Sequence, residues 1–286
     1  MTEQNRVTQD EAEIREAVAE AVRQVRIQNP MAGSITNNVT IDFVANAQLA
    51  VGGSAAMVYM ADEAVVLGMM GGAMYMNLGT LTPVLVESIP HAARALHEAG
   101  KPYVIDPVGI GIGENRTQML LDMKECKPSI IRGNASEVIA LAGLWQLDGD
   151  AGELTRARGV DTTDAVDAAV TAAVEIARFT GGAVAVSGEV DLVTDGTRVV
   201  YSEGGSAYMG KVTGCGCSLG GVVAVYAAVT DPFTAALAGT AIYNLAGSRA
   251  QQVAEGPASF KVAFLDALYN ATPEDVAANP LTLQEA

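Results

Sequence analysis

Histidine and cysteine are scarce: the 286 residues include two of the first and three of the second. Two histidines leave a His-based triad or a classical zinc site short of ligands. Three cysteines cannot build a disulfide framework. Basic residues are also few, 17 against 33 acidic ones, for a formal charge of −16. A field of that sign repels a nucleic-acid backbone and an anionic membrane surface, so neither is an expected partner. It does not exclude a nucleotide, which a few local cations and backbone N–H groups can hold. No apolar run approaches the roughly 20 uncharged residues that span a bilayer. The first residues, MTEQNRVTQDEAEIREA, lack the basic start and apolar stretch of a secretory signal, which makes the cytoplasm the expected location.

What is present is a folding composition, half hydrophobic and 17% charged, in a chain long enough for a sizeable core. Thr8 to Glu11 fits a capping box, and Ile14, Val18, Val22 and Val25 follow at helical spacing until Asn29 and Pro30, so residues 1–30 read as an N-terminal helix. Residues 39–51 read as a helix. Short units then alternate: strand SAAMVYM, helix ADEAVVLGMMGG, strand AMYMNLG, and a helix from Thr82 to Gly100 that Pro90 should kink or split. Strand PYVIDPVG, a helix around 115–125, strand SIIRGN and helix ASEVIALAG continue the pattern. Residues 146–165 are the most polar stretch and read as an acidic surface insertion. A helix over 163–179, strand AVAVSG and a hairpin turning at Asp195 and Gly196 follow. After KVTGCGCSLGG the chain reads as helical to its end. Such alternation predicts one α/β domain over 1–286, a mainly parallel sheet with helices on both faces.

The chemistry-bearing candidates sit where strands end or helices begin. In KVTGCGCSLGG, Gly214, Gly216, Gly220 and Gly221 permit tight turns and close approach of a ligand. A helix starting there would favour an anion, and Cys217 in its first turn could have a lowered thiol pKa. The plain alternative is that these glycines only let helices pack and that the cysteines are small core residues. The stretch is neither a P-loop nor a nicotinamide fingerprint. Asp106 ends a strand, where a carboxylate can hold Mg²⁺ or merely start an Asp-Pro turn. Arg132 is one of few cations and suits phosphate. Asn134 and Glu137 fit a capping box, with a metal role for Glu137 left open by spacing. Asn37 is an N-cap or a ligand contact, Met57 a core residue or the lining of a flat heteroaromatic pocket, and Ser187 a strand-end hydroxyl within reach of phosphate. His91 and His97 read as surface residues on different faces of one helix.

The stretches ITNNV, NAQLAVGGSAAM, MNLGTL, VIDPVG, IIRGNASE, AVSGE, KVTGCGC and GPASFKVAFLDALYN, in this order over residues 34–270, resemble the hydroxyethylthiazole kinase family of the ribokinase-like superfamily. The resemblance implies a three-layer α/β/α fold and ATP-dependent phosphorylation of 4-methyl-5-(2-hydroxyethyl)thiazole, with Mg²⁺. It implies a homotrimer with active sites between subunits. It places Asn37, Met57 and Gly214 at the thiazole alcohol, Arg132 and Ser187 at the ATP phosphates, and Asp106 and Glu137 near Mg²⁺. Cys217 takes the catalytic position, while Cys215 fills a variable one. Two departures stand out: Gly33 where the family usually carries a histidine, and the extra glycines of SLGG. The alternatives are another ribokinase-like small-molecule kinase, for instance for a hydroxymethylpyrimidine; a nicotinamide-hydrate repair dehydratase of the same fold; a non-catalytic sensor; and a redox pair of Cys215 with Cys217.

Overall fold

The computed structural model describes residues 3–147 and 162–286. A 26-residue helix α1 (Glu3–Gln28) leads into β1 (Met31–Ile35). It begins ahead of the capping box expected at Thr8, which falls inside it. Ile14, Val18, Val22 and Val25 are buried, as their spacing requires. β1 itself, MAGSI, was not expected. Then come α2 (Ile41–Ala50), β2 (Ser54–Met57), α3 (Ala61–Met70), β3 (Ala73–Asn77), α4 (Pro83–Glu98), β4 (Tyr103–Asp106) and α5 (Glu114–Lys124). After these follow β5 (Ile130–Asn134), α6 (Ala135–Trp145), α7 (Thr162–Thr180), β6 (Ala183–Ser187), β7 (Asp191–Thr194) and β8 (Arg198–Ser202). The chain ends with α8 (Cys215–Ala227), α9 (Pro232–Gln251), α10 (Pro257–Asn270), α11 (Pro273–Ala277) and β9 (Leu281–Glu285). Most of the insertion expected at 146–165 lies outside the described residues.

Two expectations are corrected. Pro90 does not split its helix: α4 runs through it, started by Thr82, whose side chain accepts from the Leu85 amide. The chain does not end in helices, because β9 returns to pair antiparallel with β8. That pairing joins residues far apart in sequence, so no local pattern announces it. His91 and His97 are exposed, as expected.

Among the described residues, nine strands form one sheet in the order β2-β1-β3-β4-β5-β6-β7-β8-β9. Pairs from β2 to β6 are parallel and the rest antiparallel. Two buried clusters cover its faces. One takes side chains from α1, α2, α8, α9 and α10, the other from α3 to α7. This is the three-layer α/β/α architecture. Strand order reverses between β1 and β3, and in open α/β sheets ligands bind beyond the carboxyl ends of the strands at such a reversal. Helix α8 is buried nearly all round, with Val222, Val223 and Val225 fully covered, so its amino end is held firmly against that edge. None of the described helices is long and apolar enough to cross a membrane.

Candidate active site

The β1–β3 reversal holds a chain of buried polar groups. Asn37 follows β1, Asn77 ends β3, Asp106 ends β4 directly beside Asn77, Arg132 is the middle residue of β5, and Ser187 ends β6. The Asn37 amide donates to Asn77 Oδ1 at 2.9 Å and lies 3.6 Å from Cys217 Sγ. Asn77 Nδ2 donates to Tyr75 Oη at 2.8 Å and to Asp106 Oδ2 at 3.3 Å. Tyr75 Oη donates to the same Asp106 oxygen at 3.1 Å. Arg132 reaches it through Nη1 at 3.3 Å and donates through Nη2 to Ser187 Oγ at 2.8 Å. The sequence candidates Cys217, Asn37, Asp106, Arg132 and Ser187 are thus joined in one network. Tyr75 and Asn77 complete it, beyond the sequence candidates. The one signal for them in the sequence is the position of Asn77 at a strand end, inside MNLGTL.

The glycines have separate tasks. Gly214 caps α8 with φ 97°, and a Cβ there would meet Thr40 at 3.0 Å. A Cβ on Gly216 would come within 2.8 Å of Arg132 Nη1, so this glycine lets the guanidinium lie against the helix start. Gly220 and Gly221 face the core: added Cβ atoms would sit 2.3 Å from the Tyr75 ring and 2.7 Å from Val44. The packing reading is right for these two. The first intrahelical bond runs from Ser218 N to Gly214 O at 2.8 Å, which leaves the amides of Gly216 and Cys217 ahead of it. The Cys215 amide instead turns back to Val212 O at 3.4 Å, so the anion-facing set is smaller than four consecutive amides.

Electrostatics correct one further expectation. The start of α8 does not lower the thiol of Cys217; burial pushes it up, Asp106 adds to the rise, and Arg132 offsets only part of it. Burial holds Cys215 at about 12, as a core residue. Asp106 is fully buried and is pushed up to about 6, burial outweighing the pull of Arg132. Arg132, which burial alone would lower, is held above its ordinary value by Asp106.

Met57 and Glu137 stand outside the network. Met57 ends the half-buried edge strand β2 and shares a groove with Val66 and Leu67. Glu137 forms the expected capping box, its Oε2 accepting from Asn134 N at 2.9 Å. A Cβ at Gly33 would point to Met74 and Leu67. A cleft of about 600 Å³ opens beside the network, lined by Arg132, Ser187, Asp191, Gly205, Gly216 and Asn244 among others. The larger cavity near Phe233 and Leu283 lies away from all of these residues. Among the described residues no group of three or more His, Cys, Asp or Glu could hold a metal. Mg²⁺ needs only one or two carboxylates beside water and phosphate, and Asp106 Oδ1 is buried with no hydrogen-bond partner among the described residues, so the donor set fits that ion.

The fold is that of the ribokinase-like class. Pyridoxal kinase from Staphylococcus aureus, solved in complex with AMP-PCP, matches the chain with a TM-score of 0.60 at 15% identity, over 90% of this chain and 99% of that one. At that identity the likeness is one of fold. A model of the hydroxyethylthiazole kinase family matches residues 22–274. The chain is 51% identical to hydroxyethylthiazole kinase of Bifidobacterium adolescentis over 94% of each protein. It matches the structure of hydroxyethylthiazole kinase from Pyrococcus horikoshii OT3 with a TM-score of 0.80 and 31% identity, over 94% and 98% of the two chains. The chain belongs to the hydroxyethylthiazole kinase family.

Proposed function

We propose that the protein transfers the terminal phosphoryl group of ATP to the primary alcohol of 4-methyl-5-(2-hydroxyethyl)thiazole, in thiamine biosynthesis or salvage. The observation that carries the site assignment is the continuous polar network from Cys217 through Asn37, Asn77 and Asp106 to Arg132 and Ser187. One end offers a sulfur and an amide to a small alcohol. The other offers a guanidinium and a hydroxyl on the wall of a cleft sized for a nucleotide.

Phosphoryl transfer demands position and charge stabilisation more than covalent help. Arg132 and Ser187 bind the phosphates of ATP. The free amides at the start of α8 face the moving phosphoryl group and stabilise its charge. Gly214 and Asn37 hold the hydroxyethyl end, and Met57 lies along the thiazole. The alcohol oxygen bonds to phosphorus as the bridging oxygen leaves with ADP. Cys217 accepts the alcohol's proton late in this exchange. Its raised pKa makes the thiolate scarce at neutral pH but a stronger base when formed. Asp106 and Glu137 are the residues that would hold Mg²⁺, which when bound offsets phosphate charge. The assembly is a homotrimer whose active sites are completed by a neighbour. Strand β2, which ends the sheet among the described residues, with Met60 and Val66 exposed beside it, supports that reading. Sedimentation of the wild type and of Val66→Asp tests it: a monomeric wild type overturns it.

The deciding experiment is ADP release with ATP, Mg²⁺ and the thiazole alcohol, beside a control without the alcohol. Thiazole-dependent ADP supports the reading. Turnover only with a hydroxymethylpyrimidine, or dehydration of a nicotinamide hydrate, replaces it.

A further inference from the structure

We propose that Asn279, remote in sequence from every residue of the site, is a positioning residue that sets the loop closing the nucleotide side of the cleft. The inference rests on the reading of that cleft as the ATP site. Residues 204–206 line it and Glu203 leads into them, with Gly204 and Gly205 at φ 126° and 78°. Such backbone is open to glycine and carries no side chain to anchor it. The loop is held from two sides. On the inner side α9 supplies Asn244 O, which accepts from Gly205 N at 2.9 Å, and Ser248 Oγ, which donates to Gly205 O at 3.3 Å. On the outer side Asn279 Nδ2 donates to Glu203 O at 2.9 Å and to Ser202 Oγ at 3.2 Å. The Glu203 amide donates to Pro280 O at 3.1 Å.

Asn279 is itself fixed. It is 6% exposed, and Arg15 of α1 donates to its carbonyl at 2.9 Å and to Ala277 O at 2.6 Å. Asn244 Nδ2 donates to Ser202 Oγ at 3.1 Å, so the inner and outer holders meet on one hydroxyl. Asn244 also lines the cleft. The path therefore runs from α1 through Asn279 and Ser202 to the cleft wall. A group that only fastened β9 to the sheet would not need to bond the residue that leads into the loop.

The test compares Asn279→Ala with Ile89→Val, a buried position in the opposite layer, both checked for folding by thermal melts. Losing both donors is expected to raise the KM for ATP about tenfold, with kcat and the KM for the thiazole alcohol within about twofold. Hydrogen exchange at the Glu203 and Gly205 amides should speed up in Asn279→Ala alone. An unchanged ATP KM, or equal changes in both variants, overturns the proposal. If the wild type releases no ADP, the function reading falls, while the exchange comparison still decides whether Asn279 sets the loop.

Discussion

The amide nitrogen of Asn37 lies 3.6 Å from the sulfur of Cys217. A donor so placed favours the sulfur anion, while burial and the charge of Asp106 disfavour it, and the disfavouring forces win. The thiol is therefore protonated at neutral pH, and its share as proton acceptor grows as pH rises. Cys217→Ala should fold normally and lose about 100-fold in kcat. The wild-type rate should climb above pH 7 and the variant's should stay flat. A Cys217→Ala protein with undiminished kcat removes the proton-acceptor role.

The titration of Asp106 bears on stability. Its folded pKa is about 6, against about 4 for an unfolded aspartate. Between these values the folded protein keeps a proton that the unfolded chain has released, so stability falls as pH rises through the window. Asp106→Asn has no such group. The stability of wild type minus that of the variant should drop by about 2 kcal/mol from pH 4.5 to 7 and then level off. Urea melts across that range measure it. Activity should move the other way, because the proposed role needs the carboxylate ionised.

Gly220 and Tyr75 form one unit. A methyl at Gly220 would lie 2.3 Å from the ring that supports Asp106. Gly220→Ala should lose about 1–3 kcal/mol by overpacking, read as a lowered urea midpoint, and lose activity with it. Tyr75→Phe keeps the packing but deletes a hydrogen bond that holds the Asp106 pKa down. Its acid activity limb should shift to higher pH, a change visible in the pH profile of kcat/KM.

Arg132 has two separable duties, toward Asp106 and toward Ser187. Arg132→Gln leaves a buried carboxylate without its cation and should destabilise the fold by about 3–5 kcal/mol. Ser187→Ala leaves the ion pair intact and should raise only the KM for ATP. Thermal melts beside ATP saturation curves separate the two.

Asp106, Arg132 and Ser187 were legible in the sequence because each follows a short apolar run that, between helical stretches, reads as a buried strand. Gly214 and Cys217 were legible as the start of an apolar helix. Tyr75 and Asn77 were not, since an aromatic and an amide inside AMYMN look like ordinary strand residues until β4 is placed beside them. The thiol's direction of shift also depends on packing: a helix start predicts a lower pKa, and the burial that reverses it comes from distant residues. Strands β1 and β9 escaped for related reasons. MAGSI is short and small-sided, and LTLQE finds its partner only across the whole α8 to α11 segment.

The close glycine contacts of α8 carry a mechanical meaning. Val225 leaves no room for a methyl on Gly53, and Val223 none on Gly239, as Tyr75 and Val44 leave none on Gly220 and Gly221. A rod wedged on several sides cannot slide or tilt toward a substrate without opening gaps in the core. The helix that presents Cys217 therefore stays still, and a ligand must fit itself to the sulfur it offers.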